Sequence, residues 1–194
     1  MSKFMTPQLA RIAAGLAVVS AFGAAPVVAQ AASTAATGTL SAGALSNTAP
    51  VITPFGTTLT GLTQTVDTAL GAWNVTDATG SNAGYSVTVA ATAPTVAGSA
   101  AGAGIGGSIT LTPTAATAAA GNPATAGPTA SAALPLSTTA ATIDNAAAGS
   151  GQGEWDFAAD NGTTQNNLAV VIPGNASAGA YSSTLTFTTA PPVA

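Results

Sequence analysis

The sequence predicts an all-β fold, an antiparallel β-sandwich, and three observations carry that prediction. Short runs alternate apolar and small polar residues, as in Tyr85-Ser86-Val87-Thr88-Val89; a period of two puts alternate side chains on one face of a strand. Thr and Val recur through these runs, and β-branched side chains fit a pleated surface. Clusters of Gly, Pro, Asn and Ser separate the runs, which is the chemistry of turns.

The chain opens on a different pattern. Its only basic residues, Lys3 and Arg11, precede or border an apolar run from Ile12 to Ala29 that closes on Ala29-Gln30-Ala31. A basic start, an apolar middle and a small-x-small exit make residues 1–31 a cleavable secretory signal. The run approaches the length of a membrane span. It is Ala- and Gly-rich, broken by Pro26 and followed by no stop-transfer charges, so no transmembrane anchor is expected after signal cleavage. Residues 32–50 are small and polar without a period and read as a flexible lead-in, leaving 51–194 as one domain.

Within that domain, Thr57 to Val66 alternates in part and is dense in Thr. Leu70 to Asp77 puts Trp73 and Val75 on one face, Ala78 to Gly84 supplies turn residues, and Tyr85 to Val89 alternates cleanly. Those two runs read as an antiparallel pair joined by a loop. Ser108 to Thr112 is a short strand stopped by Pro113. Around it, residues 91–142 show little period. Ala favours a helix over Ala115–Ala120, but Gly121 and Pro123 cut it short, so strands and loops are expected there. Gly153 to Phe157 sets Trp155 and Phe157 on one side, and Leu168 to Ile172 is a compact apolar strand ended by Pro173. After a turn at Gly174–Gly179, the run from Tyr181 to Thr189 places Tyr181, Ser183, Leu185 and Phe187 on a common face.

Charge excludes several functions. Without residues 1–31 the chain keeps no Lys, Arg or His and all six acids, a net charge of −6. Nucleic-acid binding needs clustered cations to displace phosphate counterions, so no nucleic-acid partner is expected. A basic patch for anionic lipid is missing for the same reason. The sequence has no cysteine, so a core must hold without disulfides even in an oxidising compartment. Charged residues make up only 4% of the chain, which suits a protein packed into a wall, layer or fibre better than a free monomer.

The run Trp73-Asn74-Val75, followed by Asp77 and by Gly84-Tyr85-Ser86-Val87, resembles the first signature of WxL-domain bacterial surface proteins. Tyr181-x-x-x-Leu185-Thr186-Phe187 resembles the second, and Ile172-Pro173-Gly174-Asn175-Ala176 with Ala178-Gly179 fits the turn leading into it. The similarity covers roughly Pro54 to Pro191. Val75 stands where the first signature has leucine, and Phe187 and Thr189 stand where the second has tryptophan and leucine. The resemblance implies a non-catalytic protein, outside the cell and on its surface or wall. It implies non-covalent attachment to peptidoglycan or to a partner surface protein. The residues it marks for that contact are Trp73, Val75, Tyr85, Tyr181, Leu185 and Phe187.

No cofactor is expected, and no catalytic set can be assembled. Without His or Cys, the triads and the usual zinc sites are impossible. Two carboxylates suffice for glycoside hydrolysis, and Glu154 and Asp156 flank Trp155. Residues two apart on a strand are side-by-side neighbours, however, and bracket a bond poorly. Solvated strand acids are the plainer reading, and a glycosidase ranks last. Asp156, Asp160 and Asn161 make a weak calcium candidate without full loop spacing, and the Asn161-Gly162 turn explains them as well. The remaining alternative is a self-associating fibre or layer subunit built by edge-to-edge strand pairing.

Overall fold

The computed structural model describes residues 37–96, 108–122, 126–159 and 167–192. The signal expected over 1–31 lies outside them, and so do Asp160 and Asn161 of the calcium candidate. The chain divides into Met1–Thr39 and Leu40–Ala194, and of the first unit only residues 37–39 are described. All the elements below belong to the second.

The described residues hold fourteen strands and no helix. In chain order they are β1 (Leu45–Asn47), β2 (Gln64–Ala69), β3 (Trp73–Asp77), β4 (Tyr85–Ala91), β5 (Thr95–Val96), β6 (Ile109–Thr112) and β7 (Thr117–Ala118). Then follow β8 (Thr129–Ala130), β9 (Leu134–Leu136), β10 (Ala141–Ala146), β11 (Gly153–Phe157), β12 (Asn167–Ile172), β13 (Tyr181–Ser182) and β14 (Leu185–Ala190). Every pairing is antiparallel. Sheet I runs β1-β3-β11-β7, sheet II β14-β4-β10-β8 and sheet III β2-β12-β6-β9, with β13-β5 as a small ribbon. The result is the sandwich-like all-β fold that the alternation predicts.

One core joins the three sheets. Trp73, Val75 and Phe157 enter it from sheet I, Tyr85, Val87, Val89 and Ile143 from sheet II, and Ile109, Leu111, Leu168, Val170 and Ile172 from sheet III. Burial follows the period of two: β4 alternates buried and half-buried residues along its whole length, and β3 does the same. Without disulfides this apolar burial is the main cohesive term.

The antiparallel pair expected from Trp73–Asp77 and Tyr85–Val89 does not form. β3 pairs with β1 and β11 in sheet I, and β4 pairs with β14 and β10 in sheet II, so the connection is a crossing between sheets. Its chemistry explains the crossing. Asp77 is buried and accepts hydrogen bonds from the Thr79 backbone N–H (3.0 Å) and hydroxyl (2.7 Å), which ends β3. Gly80, Asn82 and Gly84 then take positive φ, and a Cβ on Gly84 would strike the carbonyl oxygens of Ala146 and Ala147. A tight hairpin has two central residues; this segment is longer and turns the chain onto the opposite face of the core.

Two more expectations shift. The lead-in over 32–50 is ordered at its end: β1 pairs with β3, and the Gly43 N–H reaches the Ala78 carbonyl at 2.8 Å. Ser46 and its neighbours lack an apolar alternation, and their order comes from pairing with an already buried strand. The strand expected over Thr57–Val66 starts only at Gln64, because its partner β12 ends opposite at Ile172, before Pro173. Residues 51–63 form an irregular arm instead.

Candidate functional site

The six residues marked by the resemblance fall into two groups. Trp73 (4% exposed), Val75 (0%) and Tyr85 (0%) are enclosed. Inward alternation packs these three into the core and leaves them little surface. Tyr181, Leu185 and Phe187 are half-buried and pack against the core from its margin. The structure does bring the two signatures together. The Trp73 ring stacks on Phe157, its direct cross-strand partner, with centroids 3.8 Å apart and planes 6° from parallel. It also meets Phe187 of β14 at 5.7 Å in a tilted arrangement. Trp73 of the first signature, on sheet I, thus packs against Phe187 of the second, on sheet II.

At the end of sheet III lies a cleft of about 790 Å³. Its floor is Ile109, Val170 and Ile172, one wall is the arm carrying Phe55 and Leu59, and the other is the loop ending in Tyr181. Phe55 is 44% exposed and Leu59 39%, so apolar surface faces the opening. The Tyr181 hydroxyl donates to the Ser177 carbonyl at 2.8 Å, which fixes the ring against its own loop. Gln64 braces the arm, donating from Nε2 to the Thr60 hydroxyl (2.6 Å) and the Thr58 carbonyl (3.2 Å). Thr and Ser hydroxyls line the rim, and Tyr181 is the sole titratable side chain among the described lining residues. An apolar floor with a few polar groups is the usual make-up of a ligand cleft. Among the described lining residues there is no Asp, Glu, Lys or Arg.

Sequence reasoning missed Phe55 and Leu59. The available signal was a run of apolar residues, Val51, Phe55, Leu59 and Leu62, set among Thr, Pro and Gly with no strand period to bury them.

The two carboxylates weighed for hydrolysis are exposed on the outer face of sheet I, not in the cleft. Glu154 accepts from Asn74 Nδ2 at 2.7 Å, and Asn74 in turn exchanges hydrogen bonds with the Thr48 hydroxyl. This is a flat, cross-strand polar ladder. Asp156 is exposed, and among the described residues no cluster of three or more His, Cys, Asp or Glu could hold a metal.

An acid that no motif marks sits inside. Asp144 is 1% exposed, and burial pushes its carboxyl up to about 7. Tyr85 is raised above its usual range by burial first, then by the nearby charges of Asp144 and Asp77.

Fold and site together define an all-β sandwich-like domain that carries an apolar cleft. The chain matches the WxL domain surface cell wall-binding family over residues 63–191 and belongs to it. It is a cell-surface protein with a cell-wall-binding domain, and that family is not one of enzymes. No curated protein matches the chain, and no solved structure does. No helix among the described residues is long and apolar enough to cross a membrane.

Proposed function

We propose that the chain is exported by a signal over residues 1–31 and attaches non-covalently to peptidoglycan through the cleft between the 51–63 arm and the Tyr181 loop, without catalysing a reaction. The observation that carries this is the cleft itself: exposed Phe55 and Leu59 face Tyr181 across an apolar floor, with hydroxyls on the rim and no acid–base pair. Aromatic faces with neighbouring hydroxyls suit the apolar faces and hydroxyl edges of sugar rings. In this reading Tyr181 makes contact, Leu185 and Phe187 hold its loop to the core, and Trp73, Val75 and Tyr85 set the sandwich that carries both walls.

A fibre subunit is less well supported by the strand edges. β7 and β8, at two sheet edges, are two residues long, and β1 and β9 are three. Of the two six-residue edge strands, β2 is covered at its end by the arm, through the Thr53 N–H to Ala69 carbonyl bond and the adjoining Ile52–Leu70 bridge, whereas β14 pairs on its β4 side alone among the described residues. Short or covered edges resist edge-to-edge growth.

The test is sedimentation of the secreted chain with cell-wall sacculi stripped of protein. Co-sedimentation is expected, with Tyr181→Ala and Phe55→Ala lowering retention about tenfold, which is about 1.4 kcal/mol. Retention only on sacculi that keep their proteins would assign a partner surface protein, and none on either would overturn the reading.

A further inference from the structure

Strand β10 carries an irregularity that no part of the cleft uses. Its pairing with β4 runs Thr142 to Thr88 and then Asp144 to Val87, so Ile143 is an extra residue, a β-bulge. The bulge turns two consecutive side chains inward: Ile143 and Asp144 are each 1% exposed, whereas Thr142 and Asn145 on either side are exposed. An Asp is thereby placed in an apolar core. Neither of its carboxylate oxygens has a hydrogen-bond partner among the described residues, and the Tyr85 hydroxyl has none either.

Asp144 and Tyr85 are diagonal neighbours across the β10–β4 seam, since Asp144 faces Val87 and Ala146 faces Tyr85. The titratable groups on this side of the core are Tyr85 from β4 and Asp77 from the end of β3; β8, the other neighbour of β10, presents Thr129 and Ala130. No cation is among them. A buried carboxylate without a counter-charge or donor is costly, and the cheaper state is the neutral acid, which keeps a proton to donate.

We propose that Asp144 makes the sandwich a proton-operated device: it enters the core as the neutral acid, and loss of its proton weakens the β4–β10 seam. β4 lies between β10 and β14, so the weakened strand is also the one that holds Leu185 and Phe187. The sign follows from linkage. The folded carboxyl releases its proton near pH 7, against an ordinary value of 3.8. Below both values folding is indifferent to pH. Between them the folded state alone holds the proton, so stability falls as pH rises. Above about pH 7 the loss levels off. The ratio of folded to unfolded chain drops by up to about tenfold per pH unit across that window.

The experiment is a carboxyl-carbon NMR titration of the full chain, which has only six Asp and Glu side chains to resolve, alongside urea unfolding from pH 4 to pH 8. Asp144 is expected to titrate near pH 7, and the urea midpoint to fall with rising pH. Asp144→Asn is expected to flatten that fall, and Asp67→Asn, on the exposed face of β2, to leave it unchanged. An Asp144 carboxyl titrating near 4, or a fall in midpoint that persists in folded Asp144→Asn, overturns the proposal. If Asp144→Asn does not fold, the NMR titration of the unaltered chain decides alone.

Discussion

The inner face of sheet I and the cleft end of sheet III are built from the same small alphabet of Thr, Val, Ala, Gly and a few aromatics, yet one is sealed and the other open. On sheet I every second residue of β3 meets a partner: Trp73 stacks on Phe157, and Val75 lies opposite Trp155. At sheet III, Ile109, Val170 and Ile172 belong to the same buried core but also line the cleft, which the arm and the Tyr181 loop border. The difference lies in what comes next in the chain. β3 continues through a crossing loop that delivers β4 onto the core, while the arm before β2 ends its regular pairing at Gln64 and leaves Phe55 and Leu59 half-exposed. Closure gives stability, and interrupted closure gives a surface that can hold a ligand.

The sharpest way to break that contrast is to hollow the sealed side. Trp73→Ala removes a ring packed against both Phe157 and Phe187 and is expected to cost about 3–5 kcal/mol, read by urea unfolding. Whatever fraction stays folded should keep its retention on sacculi, because the cleft lining does not include Trp73. Parallel loss of retention in the folded fraction would mean that the Trp73 packing and the cleft are one unit.

A smaller effect tests the crossing loop that separates the two regions. Gly84 has φ 79°, and its missing Cβ leaves room for the Ala146 and Ala147 carbonyls. Gly84→Ala is expected to lose about 1–3 kcal/mol of stability from backbone strain, with further loss where the carbonyls cannot move. Chemical denaturation measures it. An unchanged midpoint would show that β3 and β4 are not held apart by this loop.

How much of this was legible in the sequence follows from which forces were local. Alternation in Tyr85–Val89 and Leu185–Thr189, and the compact apolar run Leu168–Ile172 ended by Pro173, are local signals for strands, and each run is a strand as expected. The partner of a strand is not local. The Gly/Asn segment after Asp77 reads equally as a hairpin loop or a crossing, and only packing decides. β10 was invisible because Ala-Thr-Ile-Asp-Asn-Ala carries turn residues, and its strand character is imposed by pairing with β4 on one side and β8 on the other. The resemblance marked six residues, and half of them are core; motif identity records which side chains matter and not which way they point.

On the open side the expected effect reverses. Phe55→Ala removes a ring that is 44% exposed, so stability should change by less than about 1 kcal/mol while retention on sacculi drops about tenfold. Equilibrium sedimentation against sacculi at several loadings, with urea midpoints on the same samples, separates the two readouts. A loss of stability as large as that of Trp73→Ala would place the arm in the core and remove the contrast.

The smallest change concerns the outer face of sheet I, which belongs to neither region. Glu154 is exposed, accepts one side-chain hydrogen bond from Asn74, and stands beside Asp156 on a flat ladder. Glu154→Gln keeps an acceptor for Asn74 and removes only a solvated charge, so stability should stay within about 0.5 kcal/mol and retention should not move. Two carboxylates projecting from one face of one strand cannot stand on opposite sides of a glycosidic bond, which a hydrolase requires. Release of soluble sugar from sacculi by the unaltered chain, abolished by Glu154→Gln, would contradict this and restore the catalytic alternative. Equal and null release from both would leave Glu154 and Asp156 as hydrated surface acids.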